Sequence, residues 1–273
     1  LFKKLEKIVG PECVLATNTS SLSVEAMSQG LEHPERVVGF HFFNPVAIMP
    51  LLEVARTSKT DDATTATAVN IGKELKKTMI ICKDAPGFVV NRLLTRFMGE
   101  VTDAVDEGTS PEVADNAMRS IGFPMSPFEL LDLVGPGVAL HVSETLHENL
   151  GPRYRISPTM QAMVDAKVRN FYIKGADGKF TANPEAVALI KQGNKPSTAE
   201  QVRDRALKAL ATEARMMLDE GVVSSAAEID LCMLMGSGWP MHLGGILPYL
   251  DREGISFAVC GQRFHAPGIA SLP

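Results

Sequence analysis

Apolar and polar positions follow two rhythms along the chain, and the change falls near Asp84. Before it, short apolar runs at Val14 to Thr17, Val37 to His41, Leu51 to Ala55 and Thr78 to Cys82 are bounded by Pro, Gly, Ser or Asn, the pattern of β-strands. Between the third and fourth runs, Asp62 to Lys77 sets Ala66, Val69 and Leu75 among polar neighbours, which predicts a surface helix. Leu1 to Val9 reads as the middle of an amphipathic helix, so we expect a fragment whose beginning lies upstream. Strands alternating with helices predict part of an α/β layer.

After Asp84 the turn Ala85-Pro-Gly-Phe88 leads into Leu94, Phe97, Met98, Val101, Ala104 and Val105 at helical spacing, with Gly108 as the expected C-cap. From there the chain reads as almost all helix, with a polar connector around Lys174 to Thr198. A shift of 113 residues superimposes Leu94 on Leu207, Val101 on Ala214, and Asp106-Glu-Gly108 on Asp219-Glu-Gly221. After a slip of a few residues, Asp115 matches Asp230 and Gly122-Phe-Pro124 matches Gly238-Trp-Pro240. An ordered series of this kind predicts two copies of one helical unit. The expected architecture is therefore α/β plus all-α. Residues 1–84 are expected to form the partial α/β layer, 85–196 the first helical copy and 197–273 the second. Such copies can pack their apolar stripes against each other or against a second subunit.

Composition narrows the function. With 27 Lys plus Arg against 32 Asp plus Glu, the formal charge of -5 gives no reason to expect affinity for nucleic acid or an anionic membrane. No apolar run approaches the roughly eighteen residues of a spanning helix. The four cysteines contain no C-x-x-C pair, which disfavours zinc and a dithiol site and makes a reducing compartment the default.

Of six histidines, only His41 stands where chemistry is expected, at the end of an apolar strand where α/β sheets place ligands. The plainer reading is a histidine that ends a strand. Glu53 changes the balance. It interrupts the apolar run Pro50 to Ala55, and a half-buried carboxylate needs a partner. Paired with His41, it would fix the tautomer and stabilise the imidazolium. Asn18-Thr-Ser-Ser21 and Asn91 read on residue type alone as helix caps. Gly135-Pro-Gly137 and Gly236-Ser-Gly238 lack the third glycine and a preceding strand, so neither is a phosphate loop.

Four motifs in order, Asn18-Thr-Ser-Ser-Leu22, Gly39-Phe-His-Phe-Phe-Asn-Pro-Val46, Pro50-Leu-Leu-Glu-Val54 and Lys83-Asp-Ala-Pro-Gly-Phe-Val-Val-Asn-Arg92, resemble the 3-hydroxyacyl-CoA dehydrogenase family. The likeness is specifically to the dehydrogenase part of multifunctional fatty-acid β-oxidation enzymes. It covers essentially the whole chain, since the duplicated unit resembles their paired C-terminal domains. It implies a Rossmann-type layer, NAD as cofactor and an acyl-CoA thioester as substrate. It also implies His41 as general base, Glu53 as its electrostatic partner, Ser20 at the substrate oxygen or nicotinamide, Asn91 at the thioester, and Asn18 and Asn44 at the cofactor. The first βαβ unit with its glycine-rich loop is absent before Leu1, so the fragment alone is expected to bind NAD poorly and turn over little. Expected partners are a second copy through the helical domains and a thiolase-type subunit. The expected compartment is the bacterial cytoplasm or an organellar matrix. The alternatives are a non-catalytic helical docking module and a short-chain 3-hydroxybutyryl-CoA dehydrogenase.

Overall fold

The computed structural model describes residues 1–174, 180–190 and 193–269. In chain order the first elements are α1 (Phe2–Leu5), β1 (Leu15–Thr17), α2 (Val24–Ser28), β2 (Val37–Phe42), β3 (Leu51–Arg56), α3 (Asp62–Glu74) and β4 (Thr78–Lys83). There follow α4 (Val90–Asp106), α5 (Pro111–Arg119), α6 (Pro127–Val134), α7 (Pro136–Leu150), α8 (Pro158–Asp165), β5 (Tyr172–Lys174), β6 (Phe180–Ala182) and α9 (Pro184–Leu189). The last are α10 (Ala199–Asp219), α11 (Ala226–Gly236), α12 (Ile246–Arg252) and α13 (Ile255–Cys260).

Two compact units result. One comprises Leu1–Arg92, Ala214–Tyr249 and the stretch from Phe264; the other comprises Leu93–Glu213 and Leu250–Arg263. Neither is one continuous piece of chain. In the first unit β1 to β4 form a sheet in sequential order, with β1 parallel to β2, β2 antiparallel to β3, and β3 parallel to β4. Alternation along the strands gives the sheet two faces. Val38, Leu52 and Val54 pack with Ala68 of α3 on one face. His41 and Glu53 belong to the other, where α11 packs on β3 and β4. That approach is close enough to require glycine: a Cβ on Gly236 would stand 2.6 Å from Leu51 Cδ2 and 2.9 Å from Val90 Cγ2. Asp61 caps α3 by accepting from Thr64 N–H at 2.7 Å, and that bond holds its carboxyl below the usual range.

In the second unit α5 to α9 and the β5–β6 hairpin pack in succession. Ser126 and Glu129 form a reciprocal capping box at the start of α6. No helix among the described residues is long and apolar enough to cross a membrane.

Two expectations are corrected. The helix read over Leu1 to Val9 is only Phe2–Leu5, since beyond it Ile8 N–H and Val9 N–H both turn onto the Leu5 carbonyl and Gly10-Pro11 follows. The surface helix stops at Glu74 rather than Lys77, where Lys76 turns to φ 57°. The stretch after Asp84 is almost all helix, as expected, and the connector around Lys174 to Thr198 carries in addition the strands β5 and β6 and the helix α9. Asp132 takes the N–H groups of Phe171 and Tyr172 at 2.6 and 2.9 Å, launching β5, and Asn183 caps α9. Residues 175–179 and 191–192 of that connector lie outside the described residues.

Candidate active site

His41 and Glu53 face each other across one rung of the antiparallel β2–β3 ladder. Opposite residues on such a ladder share a face, so the pair is local to a hairpin although twelve positions separate it. His41 Nδ1 and Glu53 Oε2 are 2.8 Å apart, with the residues 4% and 0% exposed. A carboxylate sealed from water needs all its acceptor capacity used. Both oxygens are engaged: Oε2 faces the ring, and Oε1 accepts the backbone N–H groups of Val89 and Val90 at 3.1 and 3.0 Å. These are among the N–H groups that the start of α4 leaves without intrahelical partners, where the helix dipole favours negative charge.

The carboxylate can only accept, so the proton between the two residues sits on Nδ1 and the Nε2 lone pair is left open. Nε2 has no protein partner among the described residues. The ring is walled by Phe43, at 4.6 Å between centroids, and Phe88, at 5.6 Å. Phe88 is buried at φ 47°, a backbone region costly for a bulky residue and found chiefly where a site over-determines it. It follows Gly87, at φ 72°, in the turn that delivers α4 to Glu53.

The other expected site residues are brought together in part. Asn91 Nδ2 donates to the Ser20 carbonyl at 3.3 Å, tying the start of α4 to the loop beyond β1. Asn18 Oδ1 accepts from Phe42 N–H at 2.9 Å, beside His41. Ser20 is not a cap, since Ser23 accepts from Ala26 N–H at the start of α2. The Ser20 hydroxyl, the Asn18 amide nitrogen and the Asn91 amide oxygen carry no hydrogen bond among the described residues. Asn44 is exposed on the β2–β3 connection and bonds to none of these residues.

Thiol chemistry does not fit this site. Cys82 lies on β4 and Cys232 on α11, and burial pushes both thiols well up, with the Glu53 charge adding to the effect. Sequence reasoning missed the two backbone donors to Glu53 and the aromatic walls. The only signal for the donors was the Pro86-Gly87 turn ahead of a helix.

Residues 1–85 match the 3-hydroxyacyl-CoA dehydrogenase NAD binding domain, and residues 87–170 match the C-terminal domain of the same family. The fatty acid oxidation complex subunit alpha of Acinetobacter baumannii (strain SDF) is 36% identical over 278 residues, covering 95% of this chain and 39% of that protein. The protein of the same name from Shewanella putrefaciens is 36% identical over 263 residues, covering 93% of this chain and 37% of its own length. The chain thus spans well under half the length of these curated relatives. The (S)-3-hydroxybutyryl-CoA dehydrogenase of Ralstonia eutropha superposes with a TM-score of 0.59 at 35% identity, over 62% of this chain and 61% of that one. The 3-hydroxybutyryl-CoA dehydrogenase of Escherichia coli K12 shares the fold at a TM-score of 0.73, with 23% identity, over 98% of this chain and 76% of that one.

Proposed function

Since this chain belongs to the 3-hydroxyacyl-CoA dehydrogenase family, we propose that its site oxidises (S)-3-hydroxyacyl-CoA to 3-oxoacyl-CoA with NAD, in fatty-acid oxidation. The observation that carries this reading is the His41–Glu53 pair with Nε2 left open. In it, His41 Nε2 takes the proton of the 3-hydroxyl. The O–H electrons form the carbonyl, and hydride leaves C3 with its electron pair. A positioned base of this kind accelerates a reaction by about 10² to 10⁴. Glu53 stabilises the imidazolium and keeps the ring in place, since it is itself held by two backbone donors. In reverse, the imidazolium returns the proton to the developing alkoxide.

NAD, when bound, accepts the hydride. The unpartnered Ser20 hydroxyl and Asn18 amide, with exposed Asn44, suit the polar nicotinamide end of such a cofactor. We assign Ser20 to the substrate oxygen or the nicotinamide side, Asn91 to the thioester, and Asn18 and Asn44 to the cofactor. No strand followed by G-x-G-x-x-G occurs within the 273 residues. By themselves they lack the backbone cradle that holds a pyrophosphate, and this supports weak NAD binding and little turnover by the isolated chain.

The relatives' name, subunit alpha of a complex, supports assembly with a thiolase-type subunit or a second copy of the chain. Their bacterial sources support a bacterial cytoplasm. The same proposal keeps 85–196 and 197–273 as two copies of one helical unit following the layer 1–84.

The test is His41→Gln in the complete gene product. We expect kcat to fall about 10³-fold, with the KM for acyl-CoA and the size of the assembly unchanged. Dehydrogenase activity that survives the substitution would remove the proposal. Calorimetry on the isolated 273 residues should show NAD binding too weak to saturate at millimolar cofactor, and tight binding there would contradict the view that the pyrophosphate is poorly held.

A further inference from the structure

The connection between β2 and β3 begins one residue after the histidine's neighbour, with Phe43, and continues through exposed Asn44 to Pro50. Its middle is a single turn, in which Ile48 N–H and Met49 N–H both donate to the Pro45 carbonyl at 2.9 Å. A single turn leaves carbonyls at its far end without partners. Lys77 supplies them: its Nζ donates to Val46 O at 2.5 Å and to Met49 O at 2.8 Å. A cation at the carbonyl end of a turn has the favourable polarity.

Lys77 is fixed on both sides. Its own N–H donates to Gly72 O at the end of α3, and that of Thr78 donates to Pro50 O where β4 joins β3. The ammonium therefore projects from a rigid corner of the sheet. The loop it holds could not set its own shape by burial, since Val46 and Ile48 are 44% and 75% exposed.

The geometry points to Lys77 as a positioning residue: through its two carbonyl bonds it sets the path of residues 43–50, and so the place of Asn44 at the cofactor end of the site. This rests on the proposed function for the role of Asn44. The ammonium touches no reacting atom; it acts through the loop. The contribution should therefore appear in cofactor affinity and not in proton transfer.

In the complete gene product, Lys77→Met keeps the aliphatic stem and removes the donors, while Lys77→Arg keeps a cation with several N–H groups. We expect Lys77→Met to raise the KM for NAD about ten-fold, with kcat and the KM for acyl-CoA held within about two-fold, and Lys77→Arg to recover most of the loss. In the 273-residue chain, amide exchange over 44–50 should quicken in Lys77→Met, while exchange over β2 stays as in the parent and reports that the sheet is folded. Unchanged exchange would mean the ammonium is not the clamp. Faster exchange with an unchanged KM for NAD would mean the clamp positions nothing that matters. Either result overturns the inference. Full activity of His41→Gln would instead defeat the dehydrogenase reading, and the exchange measurement would still decide whether Lys77 holds the loop.

Discussion

The two long helices, α4 and α10, are built alike and begin differently. Arg92, at the start of α4, donates to Glu220 just beyond the end of α10, at 2.6 and 3.0 Å. Arg205, 113 positions after Arg92, donates to Glu107 at 2.6 Å, and Glu107 stands 113 positions before Glu220. Asp115 takes the Phe128 N–H at 2.9 Å and Asp230 the Leu247 N–H at 2.8 Å, each tying a helix to the start of the next. Their second partners differ, Tyr172 hydroxyl for one and His265 for the other. The helix starts differ further. Thr198 and Gln201 cap α10 reciprocally, at 2.9 and 3.2 Å, whereas the first amides of α4 go to Glu53. One helix satisfies its own terminus; the other gives that terminus to the buried carboxylate of Glu53.

The sharpest way to break this comparison is at the two caps. Glu53→Gln in the complete gene product should lower kcat by about 10² to 10³, because an amide no longer stabilises an imidazolium and cannot serve three donors. Steady-state kinetics at saturating substrate would show it, and a loss below five-fold would mean that the α4 terminus is only structural. Next is the glycine after each long helix. A Cβ on Gly108, at φ 116°, would lie 2.5 Å from the Gly193 carbonyl oxygen, whereas Gly221, at φ 64°, has open space. We expect Gly108→Ala to cost about 3 kcal/mol and Gly221→Ala about 1 kcal/mol in urea unfolding.

Third is a buried acid on α4, which has Met216 113 positions further on. Burial raises the Asp103 carboxyl to about 6, outweighing the Arg155 guanidinium 3.4 Å away, which is more than half exposed and screened by water. An acid with a raised folded pKa binds its proton more tightly folded than unfolded. Its contribution is therefore whole below about pH 4, falls as pH rises to about 6, and levels off above, a change of about 3 kcal/mol at most. Asp103→Asn should flatten that slope in denaturation curves taken between pH 4 and 8. The smallest effect is expected at the self-capped helix, where Thr198→Ala should cost about 1 kcal/mol and leave kcat alone.

Much of this was legible from residue types. The four strands of the first sheet are apolar runs closed by turn residues, and a carboxylate set inside one of them had to have a partner, which led to His41. The backbone donors to Glu53 were not legible, because an amide has no side chain to announce it. The β5–β6 hairpin was hidden by its brevity, and its launching group, Asp132, lies far back in the chain. Local pattern reveals elements; it does not reveal a distant side chain that claims another segment's backbone.

The single ladder rung that joins ring and acid also separates two evolutionary freedoms. Insertions or deletions in the hairpin tip leave strand pairing untouched, so residues 43–50 could vary while the contact between ring and acid stays intact. A one-residue slip of the pairing would instead turn one of the two groups to the opposite side of the sheet and part them without altering a single letter of the sequence.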